Sequence, residues 1–249
     1  MKNSFIYMFK DQCFWQKYLS VFGIIFVANL LINWSGVFAP DLNEGNTSIW
    51  FYILFFTGLI VLFVPYGYSI SLLKAKLDDA SLSELPSINL VNNFISGFKV
   101  MLSGILLIVS LVLFIFALFL FNSFLVKFLG GFISAILNVI LFLILFIIAF
   151  LFISMCCRYV VKPSFLNFLN FKAAAQLVNC NVLKYFKSFL MVVLCTVIIY
   201  SITMLSASVL TIIGYTGLVI YCMFVSILWA YQLFLYAGLF SNAVISEKI

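Results

Sequence analysis

Residues 105–121 read ILLIVSLVLFIFALFLF, seventeen positions in which Ser110 is the only polar side chain. A barrel strand alternates lumen-facing polar and lipid-facing apolar residues, and this run does not alternate. A helix crossing a hydrocarbon core about 30 Å thick needs about 20 apolar residues, and the run reaches that length when extended to Val100–Phe121. Working outward, similar stretches occur at Tyr18–Trp34, Ile49–Leu73 and Phe132–Cys157. From Ser188 to Phe240 the chain stays apolar for more than fifty residues. That is too long for one span, and Gly214 and Gly217 divide it, because glycine is the common punctuation of a tight reversal. The expectation is a single all-α polytopic membrane domain over residues 1–249. Its six transmembrane helices form three hairpins at roughly 18–73, 100–157 and 188–240.

Composition agrees. Of 249 residues, 66% are hydrophobic, 8% are charged and none is histidine, against about a quarter charged in an ordinary soluble domain. Mean hydropathy is +1.28. Twelve of the thirteen basic residues lie at the N-terminus, between spans two and three, between four and five, or after six, and only Lys127 falls in an opposite loop. The positive-inside rule then places both termini in the cytoplasm of a multi-pass cell-membrane protein. A cleaved signal peptide ending at Val37-Phe38-Ala39 is not expected, because Pro40 follows and Asn29 and Asn33 interrupt the apolar segment. The sequon Asn46-Thr47-Ser48 falls on an outer loop and matters only in a glycosylating pathway.

The inner connections carry helical patterns of their own. After Pro86, the apolar residues Ile88, Val91, Phe94, Ile95 and Phe98 share one face, and Pro86 suits a helix start. Segments at roughly 4–17, 86–98 and 164–186 therefore read as amphipathic helices lying along the cytoplasmic interface. Each hairpin is entered through an aromatic, lysine-bearing run: Phe14-Trp15-Gln16-Lys17-Tyr18, Phe94-Ile95-Ser96-Gly97-Phe98-Lys99 and Leu183-Lys184-Tyr185-Phe186-Lys187. Trp15, Lys17, Lys99 and Lys187 are the interfacial anchors. Threefold duplication and ordinary anchoring of helix ends account for this pattern equally well.

No Asp, Glu, Lys or Arg lies in the middle of an expected span. Intramembrane ionisable groups mark ion and proton pathways, so coupled transport has no titratable relay here. Polar residues concentrate instead in span five, where Thr196, Tyr200, Ser201 and Thr203 are candidates for a solute path. Helix packing uses the same residue types and is the plainer reading; Asn29, Asn33 and Asn138 carry the same two readings. Pro65 and Gly67 are the candidate kink in span two.

The six cysteines contain no CxxC pair, and no histidine completes a zinc site. Adjacent Cys156 and Cys157 read as small apolar side chains. Asp78, Asp79 and Glu84 read as a solvated turn rather than a cation site. No phosphate loop or nucleophile elbow is present. The net charge of +6 follows from the orientation pattern, which leaves no case for nucleic acid. No catalytic residue, metal or cofactor is expected.

The order of several short motifs resembles an uncharacterised prokaryotic integral membrane protein family, domain of unknown function 4013. They are Phe9-Lys10-Asp11, Trp15-Gln16-Lys17, Gly67-Tyr68, Lys76-Leu77-Asp78-Asp79, Glu84-Leu85-Pro86, Phe94 to Lys99 and Phe171-Lys172-Ala173-Ala174. After Pro86 the family tends to carry an aromatic and acidic run, where this chain has Ser87-Ile88-Asn89. The resemblance implies a multi-span bacterial or archaeal membrane protein and brings no reaction or site residue with it. The expected function is a non-enzymatic structural or interaction protein. It would organise membrane lipids or engage a membrane or cytoplasmic protein partner. The alternative is a permease or channel for a small neutral or lipid-like solute.

Overall fold

The computed structural model describes residues 7–36, 49–79, 82, 84–129, 131–180, 182–210 and 214–244, with no strand among them. A 3-10 turn at Tyr7–Lys10 precedes α1 (Phe14–Ser35), α2 (Ile49–Val61), α3 (Phe63–Asp78), α4 (Leu90–Leu129) and α5 (Gly131–Val161). There follow α6 (Phe165–Phe168), α7 (Phe171–Cys180), α8 (Val182–Leu210) and α9 (Tyr215–Val244). Among the described residues, six stretches are long and apolar enough to cross a membrane: Phe14–Ser35, Ile49–Asp78, Leu90–Ala117, Asn138–Val161, Val182–Leu210 and Tyr215–Val244. Each overlaps one of the six spans expected from the sequence. The sequon at Asn46, the Val37-Phe38-Ala39 segment, Lys2, Asp41, Glu44, Thr211 and Lys248 lie outside the described residues.

The breaks follow from local chemistry. Pro65 has no N–H, so the carbonyl of Val61 loses its helical donor. The second span is interrupted there, at Leu62, one turn before the proline. Leu62 still donates to the Gly58 carbonyl at 3.2 Å and Tyr66 to that of Leu62 at 3.3 Å, so α2 and α3 follow one another as a single membrane segment. At the reversal between α8 and α9, Gly214 takes φ of +71°, a left-handed conformation that costs glycine nothing. Its carbonyl accepts the Leu218 amide at 3.0 Å and starts α9.

Helix α4 begins at Leu90 rather than Pro86. The Asn89 side chain accepts the Asn92 amide at 3.0 Å, an N-cap that fixes the start. The segment expected as a separate helix over 86–98 thus runs unbroken into the third span, and α4 reaches 40 residues. Asn170 caps α7 in the same way through the Ala173 amide at 3.0 Å. The stretch 164–186 divides into α6, α7 and the first turn of α8. The stretch 4–17 contains the 3-10 turn and the start of α1.

Helix α9 is the hub, touching α1, α3, α5 and α8. Its inward positions include Ala230, Ala237, Gly238, Ser241 and Ala243, and small residues let membrane helices approach closely. Phe234, fully buried on α9, meets the rings of Phe14, Tyr18 and Tyr68 at centroid distances of 5.8, 5.9 and 5.8 Å. Helices α3 and α4 cross at backbone contact. A Cβ on Gly67 would collide with the Asn93 carbonyl, and one on Gly97 with that of Phe63. The outer faces of α4 and α5 expose Ile108, Val112, Phe116, Val139 and Phe142, as suits surfaces that face lipid tails.

Candidate functional site

Two places gather polar side chains from distant parts of the chain. The first lies where the N-terminal segment meets the ends of α1 and α3 and the linker before α4. Asp11 is buried, 7% exposed. One carboxylate oxygen accepts the Cys13 amide at 2.6 Å; the other accepts the Leu85 amide at 2.5 Å and Lys17 Nζ at 2.8 Å. Lys17 also donates to the Leu85 carbonyl at 2.6 Å. Burial alone would raise the Asp11 pKa. The hydrogen bonds from Lys17, Leu85 and Cys13 outweigh it and hold the carboxyl below its ordinary range. Nearby, Tyr68 donates to the Pro86 carbonyl at 3.1 Å and Tyr7 to that of Phe234 at 2.7 Å. Lys76 Nζ stands 4.9 Å from the centre of the Tyr7 ring. Burial, with a contribution from Tyr68, pushes the Tyr7 hydroxyl pKa up.

Asp11, Lys17, Tyr68, Lys76, Leu85 and Pro86 all belong to the short motifs that carried the family resemblance. Separated by up to 75 positions in sequence, they meet in one polar tie. Gly67, from the same motif as Tyr68, and Gly97, from one more, form the helix crossing beside it. Lys17 is therefore part of a partly buried ion pair, whereas Trp15, Lys99 and Lys187 are exposed.

The second place is a chamber of about 480 Å³ between α1, the Leu62–Tyr66 break, α8 and α9. Thr196, Tyr200 and Thr203 line it, three of the four hydroxyl residues singled out on span five. Ser201 is exposed and does not line it. Pro65 contributes to the wall, and Gly67 serves the helix crossing instead. The opposite wall carries Tyr221, Trp229, Gln232 and Tyr236 from α9, with Tyr66 from α3. Gln232 Nε2 donates to the Tyr236 hydroxyl at 2.7 Å; that hydroxyl is bonded in turn to Thr196, which donates to the Val192 carbonyl at 2.7 Å. Among the described residues, no charged side chain lines the chamber.

The α9 wall was not identified from the sequence, although a signal exists. Trp229, Gln232 and Tyr236 follow helical i, i+3, i+7 spacing, and Gln232 is the single side-chain amide within the apolar body of that span. Other intramembrane polar groups serve packing. Asn29 Nδ2 donates to Ser226 Oγ at 2.9 Å, joining α1 to α9, and Asn33 donates to the Asn29 carbonyl at 2.8 Å. The Tyr185 hydroxyl donates to the Phe150 carbonyl at 2.6 Å and accepts the Ser154 amide at 3.2 Å. It thereby ties α8 to one turn of α5.

No curated protein and no solved structure matches the chain. A family model does match, over residues 50–208, a stretch that holds the α3–α4 crossing, Tyr68, Lys76, Leu85 and the α8 wall of the chamber but neither Asp11 nor α9. The match spans more than half of the chain, which therefore belongs to the family described as protein of unknown function (DUF4013).

Proposed function

We propose that this is a non-enzymatic integral membrane protein that organises lipid or a membrane partner from the cytoplasmic face, with both termini inside. One observation carries the reading. The Asp11 carboxylate, the buried acid of the bundle's polar tie, has its oxygens engaged by Cys13, Leu85 and Lys17. A carboxylate held this way welds segments together; it is not poised to exchange protons with a substrate. The tie, with Tyr7 on Phe234 and Tyr68 on Pro86, makes a rigid cover over one end of the helices. Such a cover suits presenting a fixed surface to lipid headgroups or a protein partner.

The second reading is passage of a small neutral or lipid-like solute, and the chamber bordered by Thr196, Tyr200 and Thr203 favours it. Reconstitution into liposomes separates the two. Uptake of glycerol or urea no faster than in protein-free vesicles, with defined lipids retained through purification, fits the first reading. Saturable flux abolished by a bulky Thr203→Trp substitution overturns it and supports the second.

A further inference from the structure

The chamber sits at a telling depth. Ile25, Leu62, Ile199 and Trp229 each lie near the middle of their spans, Phe14–Ser35, Ile49–Asp78, Val182–Leu210 and Tyr215–Val244. Within the hydrocarbon core no water competes for polar groups, and one left without a partner costs several kcal/mol. Nevertheless, the hydroxyls of Tyr66, Tyr200 and Tyr221 and the indole N–H of Trp229 make no hydrogen bond to any described residue. Nor does any of these four rings pack against another ring of the described residues. Elsewhere in the bundle the hydroxyls of Tyr7, Tyr18, Tyr68 and Tyr185 each find a backbone carbonyl. The hydroxyls of Tyr52, Tyr159, Tyr215 and Tyr231 likewise bond to no described residue, but they stand apart from one another and none lines this chamber, where four such donors converge.

We propose that the chamber binds an uncharged lipid whose headgroup is a planar ring bearing oxygen acceptors, a quinone-type amphiphile. Each property of the wall selects one property of the guest. The absence of lining charge favours a neutral headgroup, because an ionised one would enter without a counter-ion. Phenol and indole donors call for acceptor oxygens on the guest. Unstacked aromatic faces offer offset or edge contacts to a flat ring. Ile25, Leu62, Met204 and Leu233 supply an apolar flank for a hydrocarbon tail. The volume, about 480 Å³, falls in the range of small-ligand pockets. Tyr200 and Met204, 60% and 51% exposed, mark the edge where such a lipid would enter from the bilayer. The proposal takes from the second functional reading only that the chamber admits a lipid-like guest. It concerns binding, not passage.

The test uses the full chain in phosphatidylcholine nanodiscs with decyl-ubiquinone as ligand and an azido-quinone as photoprobe. The expected result is saturable binding of one quinone per chain, with the photolabel on peptides covering residues 62–66, 196–204 or 221–236. Excess decyl-ubiquinone should compete, whereas dioleoylglycerol and phosphatidylglycerol should not. Tyr200→Phe and Tyr221→Phe each remove one oxygen that bonds to no described residue. Each should weaken binding about tenfold while leaving the melting temperature unchanged, consistent with loss of a ligand hydrogen bond. Ser201→Ala, on the same helix but outside the chamber, should change neither. Non-saturable binding, label outside these peptides, or equal competition by dioleoylglycerol would overturn the proposal. Should a variant fail to fold, label mapping on the unsubstituted protein still decides. Quinone binding without solute flux refutes the permease and leaves this site standing; flux without quinone binding does the reverse.

Discussion

Replacing Asp11 by alanine removes the acceptor for three donors at once: the Cys13 and Leu85 amides and the Lys17 ammonium. Removing one member of a buried ion pair costs about 3–5 kcal/mol, because the remaining charge stays desolvated. Lys17 has some relief, since its side chain is 20% exposed and it keeps the Leu85 carbonyl at 2.6 Å. The loss should therefore sit at the low end, about 3 kcal/mol, or more than a hundredfold in the unfolding equilibrium. Lys17→Met leaves Asp11 with its two amides and should cost less, about 1–2 kcal/mol. The double variant should fall short of the sum by about 1–3 kcal/mol, as residues in direct contact do. Unfolding in mixed detergent–SDS micelles, followed by tryptophan fluorescence, gives these free energies. The pH dependence supplies a second reading. The Asp11 pKa is lowered by folding from its ordinary 3.8, so the unfolded chain binds the proton more readily and stability rises with pH through that window. The gap between the unsubstituted protein and Asp11→Ala should be flat from pH 7 to about 5 and shrink as the carboxylate is protonated below about 4. A cost under about 0.5 kcal/mol, typical of an unconstrained surface position, or additive single variants, would refute the tie as a structural element.

Gly97→Ala tests the α3–α4 crossing. Alanine is the better helix former by about 1 kcal/mol, yet its Cβ would meet the Phe63 carbonyl, so a net loss of about 1–3 kcal/mol from overpacking is expected in the same micelle assay; a more stable variant would show the helices are not in backbone contact. Tyr185→Phe removes the bridge between Phe150 and Ser154 and should cost about 1–2 kcal/mol without altering helix content by circular dichroism, whereas an unchanged midpoint would show that the hydroxyl is dispensable. In a cysteine-free background, Asn46→Cys should label with an impermeant maleimide on intact cells and Ser81→Cys only after permeabilisation; equal labelling would sink the proposed orientation.

Reading outward from Ile105–Phe121 located all six apolar helices, because span length and composition are local properties set by bilayer thickness. Tertiary consequences were harder to read. Pro65 signals a break through its missing N–H, but its neighbour Gly67 belongs to a crossing that depends on Gly97, thirty residues away. Asn89 and Asn170 lie on polar stripes by periodicity, and only backbone geometry makes them caps. Lys17 resembles any interfacial lysine until Asp11 and Leu85 are brought beside it. Of the span-five hydroxyls, Thr196, Tyr200 and Thr203 share a helical face spaced by four and three residues, whereas Ser201 points elsewhere. The facing wall on α9 needed the packing of two helices to become visible.

The central position of α9 sets the order of assembly during synthesis. Tyr7, Tyr18 and Asn29 emerge well before their partners Phe234, Ile227 and Ser226, from which they are separated by 227, 209 and 197 residues. Until the final helix enters the bilayer, the N-terminal segment has no carbonyl at Phe234 to receive it, and the amide of Asn29 faces hydrocarbon without its serine. A nascent chain halted near residue 210 would thus expose several desolvated polar groups to the membrane, the kind of surface that quality-control proteases and insertion chaperones read. The bundle closes only once α9 is in place, and α1 waits for it.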